Sequence, residues 1–548
     1  MIYPIPQKNN LCGVPVTIKD VAVSGDFQSL ALTVFEDYGI GTKGDFLVKI
    51  KVKNERKTTY IEELSRLSDE KYFITVNSDG AFVETSSRRG VFRAINTLSK
   101  LIVNGELKEG ELEDYPLFET RGYIEGFYGH TWEQSKRLSV LQLMAKYGMN
   151  TFFYAPKDDE YHRAKWREFY PEKEIMQLKK LLEAARFNEL DFCWCIGPGL
   201  TYCYSSDSDF ETLINKIKSI YALGAKNFGL LLDDIPADFQ YPEDAENYSD
   251  IVDAHIALVN KTYKSLKAVD SSIRLTVCPT QYFGEADDYY ISKFARGIPA
   301  DVRVFWTGRE ICSGFLTCRE ADDFIRSTNH KPFYWDNYPV NDAEMFQEMH
   351  LGAVKGRDKE LYKHSEGLIS NVMEYAECSK IPLMTIADYL WNPLQYNSEK
   401  SLKNAHRELL GERAEQFAYI ADHLCVSCVS RHGSELMSDV LSHINFLLST
   451  GQMQQALTEF SEYNTKMRQC LEMVSDTSVP LFAELQKWVK KFSLCCDLLD
   501  AILTVWMSPS QETAQKLACL LEQYNSDAVI LTGFCLREAA ERTIDMVM

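Results

Sequence analysis

The chain has 548 residues, 45% of them hydrophobic and 25% charged, which is the balance of a folded globular protein and excludes a largely disordered one. No run approaches the roughly 18 consecutive apolar residues that a membrane span needs. A formal net charge of −20 repels phosphates and anionic lipids, so neither nucleic acid nor a membrane is an expected partner.

The chain starts MIYPIPQKNN, without the basic region and apolar stretch of a secretory signal. Its cysteines number 15, an odd count scattered through segments that read as core. Both features lead us to expect a reducing, cytoplasmic compartment and free thiols. Cys425 and Cys428 form a C-x-x-C without a second pair at zinc-finger spacing, and read as buried helix cysteines.

Residues 1–117 mix two kinds of period. Segments 44–53 (GDFLVKIKVK) and 71–80 (KYFITVNSDG) alternate as strands, whereas Val91, Ala94, Ile95, Leu98 and Leu101 recur at helical spacing. A small α+β domain is expected here. From 118 to 395, short apolar strands alternate with amphipathic helices. The strands are TRGYIEG, NTFFYAP, LDFCWCIGPG, NFGLLLDDI, RLTVCPTQY, RVFWTG, KPFYWDNYP and EGLISNVM. Continuously apolar strands are buried on both faces and pair in parallel under helices. Eight such units fit a (β/α)8 barrel, with polar and aromatic residues crowding the strand ends where barrel enzymes build their sites. From 396 to 548 strand signals vanish. Segments 406–424, 434–449, 454–474 and 479–506 show helical periodicity and read as a C-terminal helical bundle.

Three clusters could carry chemistry. In Gly229-Leu230-Leu231-Leu232-Asp233-Asp234, apolar residues run into two carboxylates. Adjacent residues of a regular strand face opposite ways, so both aspartates share a site only if the pleat lapses; the alternative is a solvated Asp-Asp turn. Two carboxylates at one point favour an acid beside an ionised partner, which glycosidic cleavage needs. A metal site is the competing use, but histidines are few and no ligand spacing appears, so no metal or other cofactor is expected. The second cluster runs from Tyr154 through Lys157, Asp158 and Asp159 to Arg163. It is either a solvated loop or a source of a lysine that binds a sugar hydroxyl or a carboxylate. The third, Trp335-Asp336-Asn337 on to Asp342, pairs an aromatic wall with amide and carboxylate groups, a combination that suits a sugar. Tyr282, Trp306 and Asn371 end three further strands.

These segments resemble glycoside hydrolase family 84, the O-GlcNAcases and hyaluronidase-type β-N-acetylglucosaminidases. The resemblance rests on Glu125-Gly126-Phe127-Tyr128-Gly129, Tyr154-Ala155-Pro156-Lys157-Asp158-Asp159, Leu231-Leu232-Asp233-Asp234-Ile235, Cys278-Pro279-Thr280-Gln281-Tyr282, Phe305-Trp306-Thr307-Gly308, Trp335-Asp336-Asn337 and Leu351-Gly352-Ala353-Val354-Lys355-Gly356-Arg357. They occur in order over about 118–395. The pattern departs at Thr131, where the family carries proline.

The resemblance implies retaining, substrate-assisted hydrolysis of β-linked N-acetylglucosamine (GlcNAc), from glycans or glycoproteins, through an oxazoline. It implies that Asp233 polarises the acetamido N–H and Asp234 serves as acid, then base. Tyr282 would bind the acetamido oxygen, and Asn337 the acetamido and scissile region. The Gly126 backbone and Lys157 would take ring hydroxyls, Asp342 and Asn371 the distal ones, and Tyr128, Trp306 and Trp335 would form walls. Two other readings compete. An endo-hyaluronidase fits the acidic charge poorly, and a silent GlcNAc-binding module has no need of an acid beside an anion.

Overall fold

The computed structural model describes residues 2–53, 68–431 and 433–547. The first strands are β1 (Lys8–Asn9), β2 (Pro15–Thr17), β3 (Asp20–Gly25), β4 (Gly41–Val52), β5 (Tyr72–Asn77), β6 (Gly80–Thr85), β7 (Glu106–Lys108) and β8 (Gly110–Asp114). Six of them form a mixed sheet in the order β1-β8-β5-β6-β4-β3, and β2 pairs with β7. Alternation decides which face is covered: Phe46, Val48 and Ile50 of β4 and Tyr72, Ile74 and Val76 of β5 are buried. The helix Arg88–Leu101 puts Val91, Ala94, Ile95 and Leu98 in the core, all fully buried.

The next eight strands close on themselves. They are β9 (Thr120–Glu125), β10 (Thr151–Tyr154), β11 (Asp191–Ile196), β12 (Asn227–Leu231), β13 (Arg274–Cys278), β14 (Arg303–Trp306), β15 (Phe333–Asp336) and β16 (Gly367–Asn371). Every pair is parallel, and β16 returns to β9. A helix follows each strand, from Gln134–Lys146 after β9 to Ala376–Trp391 after β16. This is the (β/α)8 barrel that the eight apolar runs predict.

Both faces of each strand are apolar for different reasons. Ile124, Phe153, Cys193, Cys195, Leu231, Phe305, Phe333 and Ile369 fill the barrel axis. Their neighbours Phe152, Trp194, Leu230, Trp306, Tyr334 and Leu368 join the core beneath the helices. Phe305 stacks on Phe333 at 4.8 Å, and Phe153 meets Phe305 edge-on at 5.3 Å. Such pairs add about 0.5–1.5 kcal/mol each to the burial of their area, and they give the mouth above them a rigid floor.

Beyond Trp391, among the described residues, regular structure of any length is helical. The run 406–424 is two helices, Ser398–Leu410 and Ala414–His423, broken where Gly411 takes a φ of 55°. The run 479–506 divides at Leu485. Two further helices, Gln511–Ser526 and Cys535–Asp545, complete the region. Cys425 and Cys428 lie in a turn after the helix Ala414–His423, not in a helix as expected, and are only partly buried. The described cysteines are all free thiols. No described helix is long and apolar enough to cross a membrane.

Candidate active site

The C-terminal ends of the barrel strands surround a cavity of about 270 Å³. Ten of the eleven residues expected from the sequence line it: Gly126, Tyr128, Lys157, Asp233, Asp234, Tyr282, Trp335, Asn337, Asp342 and Asn371. Trp306 does not, and the expectation for it is corrected. Phe305 points into the barrel, so its neighbour Trp306 points outward, where it stacks on Phe324 of the helix Cys318–Thr328 at 4.9 Å. Thr307, one residue on, faces the cavity instead.

The aspartate pair depends on a break in the pleat. Leu231 faces the axis and Leu232 the helices, which returns Asp233 to the cavity. A continued strand would turn Asp234 away. Instead the strand ends at Leu231, and Asp234 takes a φ of 51°, a left-handed conformation that brings its side chain to the same cavity. Two bonds secure the segment before the turn. The Leu232 N–H donates to the Cys278 carbonyl at 2.8 Å, and the Thr280 hydroxyl donates to the Leu232 carbonyl at 2.7 Å.

The two carboxylates occupy different surroundings. Asp233 is buried, and its Oδ2 accepts from Lys157 Nζ at 2.6 Å. Burial pushes the Asp233 carboxyl up, but the charge and hydrogen bond of Lys157 outweigh it and hold the group below its ordinary range. Lys157 is likewise pushed down by burial and raised further by Asp233, ending above its usual value. Oδ1 of Asp233 is buried without a hydrogen-bond partner. Asp234 is about a third exposed, with Lys157 Nζ 3.8 Å from its Oδ2. Its Oδ2 accepts from the Tyr128 hydroxyl at 2.8 Å and its Oδ1 from the Tyr282 hydroxyl at 3.3 Å.

The opposite wall is a chain of amides. Trp335 Nε1 donates to Asn337 Oδ1 at 2.9 Å, Asn371 Nδ2 donates to the same oxygen at 3.0 Å, and Asn337 Nδ2 donates to the Ile311 carbonyl at 2.9 Å. Asn371 Oδ1 is a second buried acceptor without a partner. Asp342 Oδ2 accepts from the Tyr128 N–H at 2.7 Å, and burial raises the Asp342 carboxyl. Gly126 is required by this wall. A Cβ there would lie 2.8 Å from Trp335 Cζ2 and 3.3 Å from Asn371 Oδ1. The loop carrying Thr131 is held without proline: Glu374 accepts from the His130 N–H at 3.0 Å, and Trp132 Nε1 donates to the Glu374 carbonyl at 2.9 Å.

Sequence reasoning missed Cys278, Thr307, Ile311, Cys312, Val340, Ala343 and Met345, which also line the cavity. Most belong to loops, where no periodicity marks the inward side. Among the described residues, no group of three or more His, Cys, Asp or Glu is placed to hold a metal. The arrangement offers a carboxylate with a free oxygen, a more exposed carboxyl served by two phenols, and a wall of tryptophan and amides with one unpartnered acceptor.

Comparison with known proteins agrees with this geometry. The model of a β-N-acetylglucosaminidase family matches residues 121–422, more than half of the chain. The protein O-GlcNAcases of Rattus norvegicus and Mus musculus are each 30% identical over 274 residues, 49% of this chain and 29% of theirs. The chain therefore spans less than a third of the length of those curated relatives. A mutant of the Thermobaculum terrenum O-GlcNAc hydrolase superposes with a TM-score of 0.74 at 30% identity, over 78% of this chain and 95% of that one. CpGH84B superposes with a TM-score of 0.87 at 25% identity, over 99% and 100%. The barrel, the cavity and these matches place the chain in glycoside hydrolase family 84, the β-N-acetylglucosaminidases.

Proposed function

We propose that the chain is a retaining β-N-acetylglucosaminidase that releases terminal β-linked GlcNAc, from glycoconjugates or O-GlcNAc-modified proteins, with the substrate's acetamide as nucleophile. The observation that carries this reading is the partnerless Oδ1 of Asp233, on a carboxylate that Lys157 keeps ionised inside the cavity. An acetamido N–H supplies the donor that this oxygen lacks, and the bond makes the acetamide carbonyl oxygen more nucleophilic. That oxygen attacks the anomeric carbon, the glycosidic bond breaks, and an oxazoline forms as Asp233 Oδ1 takes the N–H proton, which it returns when water opens the ring. Asp234 delivers a proton to the leaving oxygen, then removes one from the water that opens the ring. Tyr282, now on Asp234, reaches the acetamide oxygen. Asn337 keeps one amide hydrogen for the same region, and Asn371 and Asp342 accept from distal hydroxyls. Lys157 and the Gly126 backbone border the ring hydroxyls, with Tyr128 and Trp335 as walls. A cavity of about 270 Å³ suits one sugar residue and not a polysaccharide strand, which favours exo action over endo-hyaluronidase action.

Successive fluorination of the N-acetyl methyl tests the nucleophile. Fluorine withdraws electrons from the carbonyl oxygen, so kcat/KM on aryl glycosides should fall steeply and in steps from acetyl to trifluoroacetyl. Each tenfold loss corresponds to about 1.4 kcal/mol of transition-state stabilisation. A flat series, or a sugar ester trapped on either aspartate, would overturn the mechanism.

A further inference from the structure

We propose that Arg163 is the positioning residue for Asp234, holding both its backbone and its phenol partner from outside the cavity. The inference rests on Asp234 as the proton donor.

Two observations carry it. The first is the left-handed backbone of Asp234, with φ 51°. That region is disfavoured for side-chain-bearing residues, though least so for Asn and Asp. Here the backbone is bonded by Arg163, whose Nη2 donates to the Asp234 carbonyl at 2.7 Å. The second is the direction of a hydrogen bond. Arg163 Nη1 lies 2.7 Å from the Tyr128 hydroxyl oxygen. A guanidinium has no acceptor, so the phenol oxygen must receive that bond. Its single proton then points to the other close partner, Asp234 Oδ2, at 2.8 Å. One planar fork thus pins the carboxylate's main chain and orients the donor to its side chain. The guanidinium carbon also lies 5.7 Å from the centre of the Tyr128 ring. Arg163 is not part of the cavity lining, so it acts through its neighbours and does not grip the sugar.

A lysine ammonium keeps the charge but lacks the rigid fork that spans two acceptors. Arg163→Lys and Arg163→Gln should therefore behave alike. With an alkyl β-GlcNAc glycoside, whose leaving group needs a proton, each should lower kcat about tenfold or more with KM nearly unchanged. With a nitrophenyl glycoside the loss should be under about threefold. Tyr128→Phe combined with Arg163→Gln should lose less on the alkyl substrate than the product of the single losses, because the two side chains act in one unit. Melting curves select variants that are folded at the assay temperature. Equal losses on both substrates, a change confined to KM, full activity in Arg163→Lys, or multiplicative losses in the double variant would each overturn the proposal. Asp234→Asn, run in parallel, separates the two ideas. If that variant does not discriminate between leaving groups, the assignment of Asp234 as acid fails. If it discriminates and the Arg163 variants do not, only the positioning proposal fails.

Discussion

At the scale of single residues, the contrast between Asp233 and Asp234 lies in their partners. Asp233 is buried against an ammonium, and replacing it with asparagine leaves Lys157 buried with only Asp234, at 3.8 Å, as a counter-charge. Removing one member of a buried pair costs about 3–5 kcal/mol where no other partner compensates; Asp234 offsets part of that here. Asp233→Asn should therefore lower the melting temperature and also slow catalysis on an activated phenol leaving group, because the lost anion no longer pulls on the acetamide N–H. A variant as stable as wild type, or one slow only on poor leaving groups, would contradict this assignment. The pH dependence follows from the depressed Asp233 carboxyl. Its contribution to stability is present above the unfolded value of about 3.9 and fades as pH falls through the lower folded value. Arg163 shows the limit of reading such residues from sequence. In a run of charged loop residues it carries no mark that separates it from Lys165 or Arg167, which bond to Glu160 and Asp209.

At the scale of elements, the buried carboxylate of Glu70 is a main joint between the N-terminal region and the barrel. Both oxygens of Glu70 accept from Arg121 Nη2 at 2.7 Å, and it also accepts from Arg93 Nε at 2.8 Å and Asn150 Nδ2 at 3.2 Å. Arg93, on the helix Arg88–Leu101, also reaches the carbonyls of Ala145 and Met149 at 2.6 and 2.8 Å. Arg121 and Asn150 stand at the starts of β9 and β10, the end of the barrel opposite the cavity. Burial would raise the Glu70 carboxyl, but Arg121 and Arg93 reverse the shift and hold it far below its usual range. Glu70→Gln removes the charge that these two buried guanidiniums face, at a cost of about 3–5 kcal/mol. We expect the melting temperature to drop by several degrees while kcat of the folded enzyme stays within about twofold, since the junction is remote from the cavity. A large loss of kcat without a stability change would refute this division. The chemistry of the junction was not legible in the sequence, because its partners are 51 and 80 residues apart.

Across the whole molecule, buried histidines set the response to acid. Burial lowers His162 and His406 to about 4, and His255 and His423 to about 3. An unfolded imidazole takes up its proton near pH 6.5. Below that pH the unfolded state binds more protons, so these four groups withdraw stability as pH falls. Asp114 and Asp388, which burial raises to about 6, act oppositely, adding stability as pH falls from about 6 toward 4. Four imidazoles with the larger shifts outweigh these carboxyls and the likewise raised Asp342 and Asp422. The melting temperature should therefore be several degrees lower at pH 4.5 than at pH 7.5. An equal or higher value at the lower pH would show that these histidines are not held neutral. The groups span the barrel and the C-terminal helices, so the loss should affect both.

The barrel and most of its cavity were legible in the residue pattern. Eight apolar runs separated by helix-length connections admit few other closures, and polar residues concentrated at strand ends mark one face. The remaining features arise from contacts between distant segments. Strands apolar on both faces do not reveal which residue points inward, and so Trp335 and Trp306, equivalent by position near a strand end, part company: one lines the cavity and the other packs beneath a helix. Side-chain direction there follows from the register in which eight strands close, a property of the whole sheet. The same holds for the turn at Asp234, whose left-handed backbone is bonded by Arg163, 71 residues away. Local sequence specifies periods and propensities, whereas a strained conformation and the bonds that hold it exist only once distant segments meet.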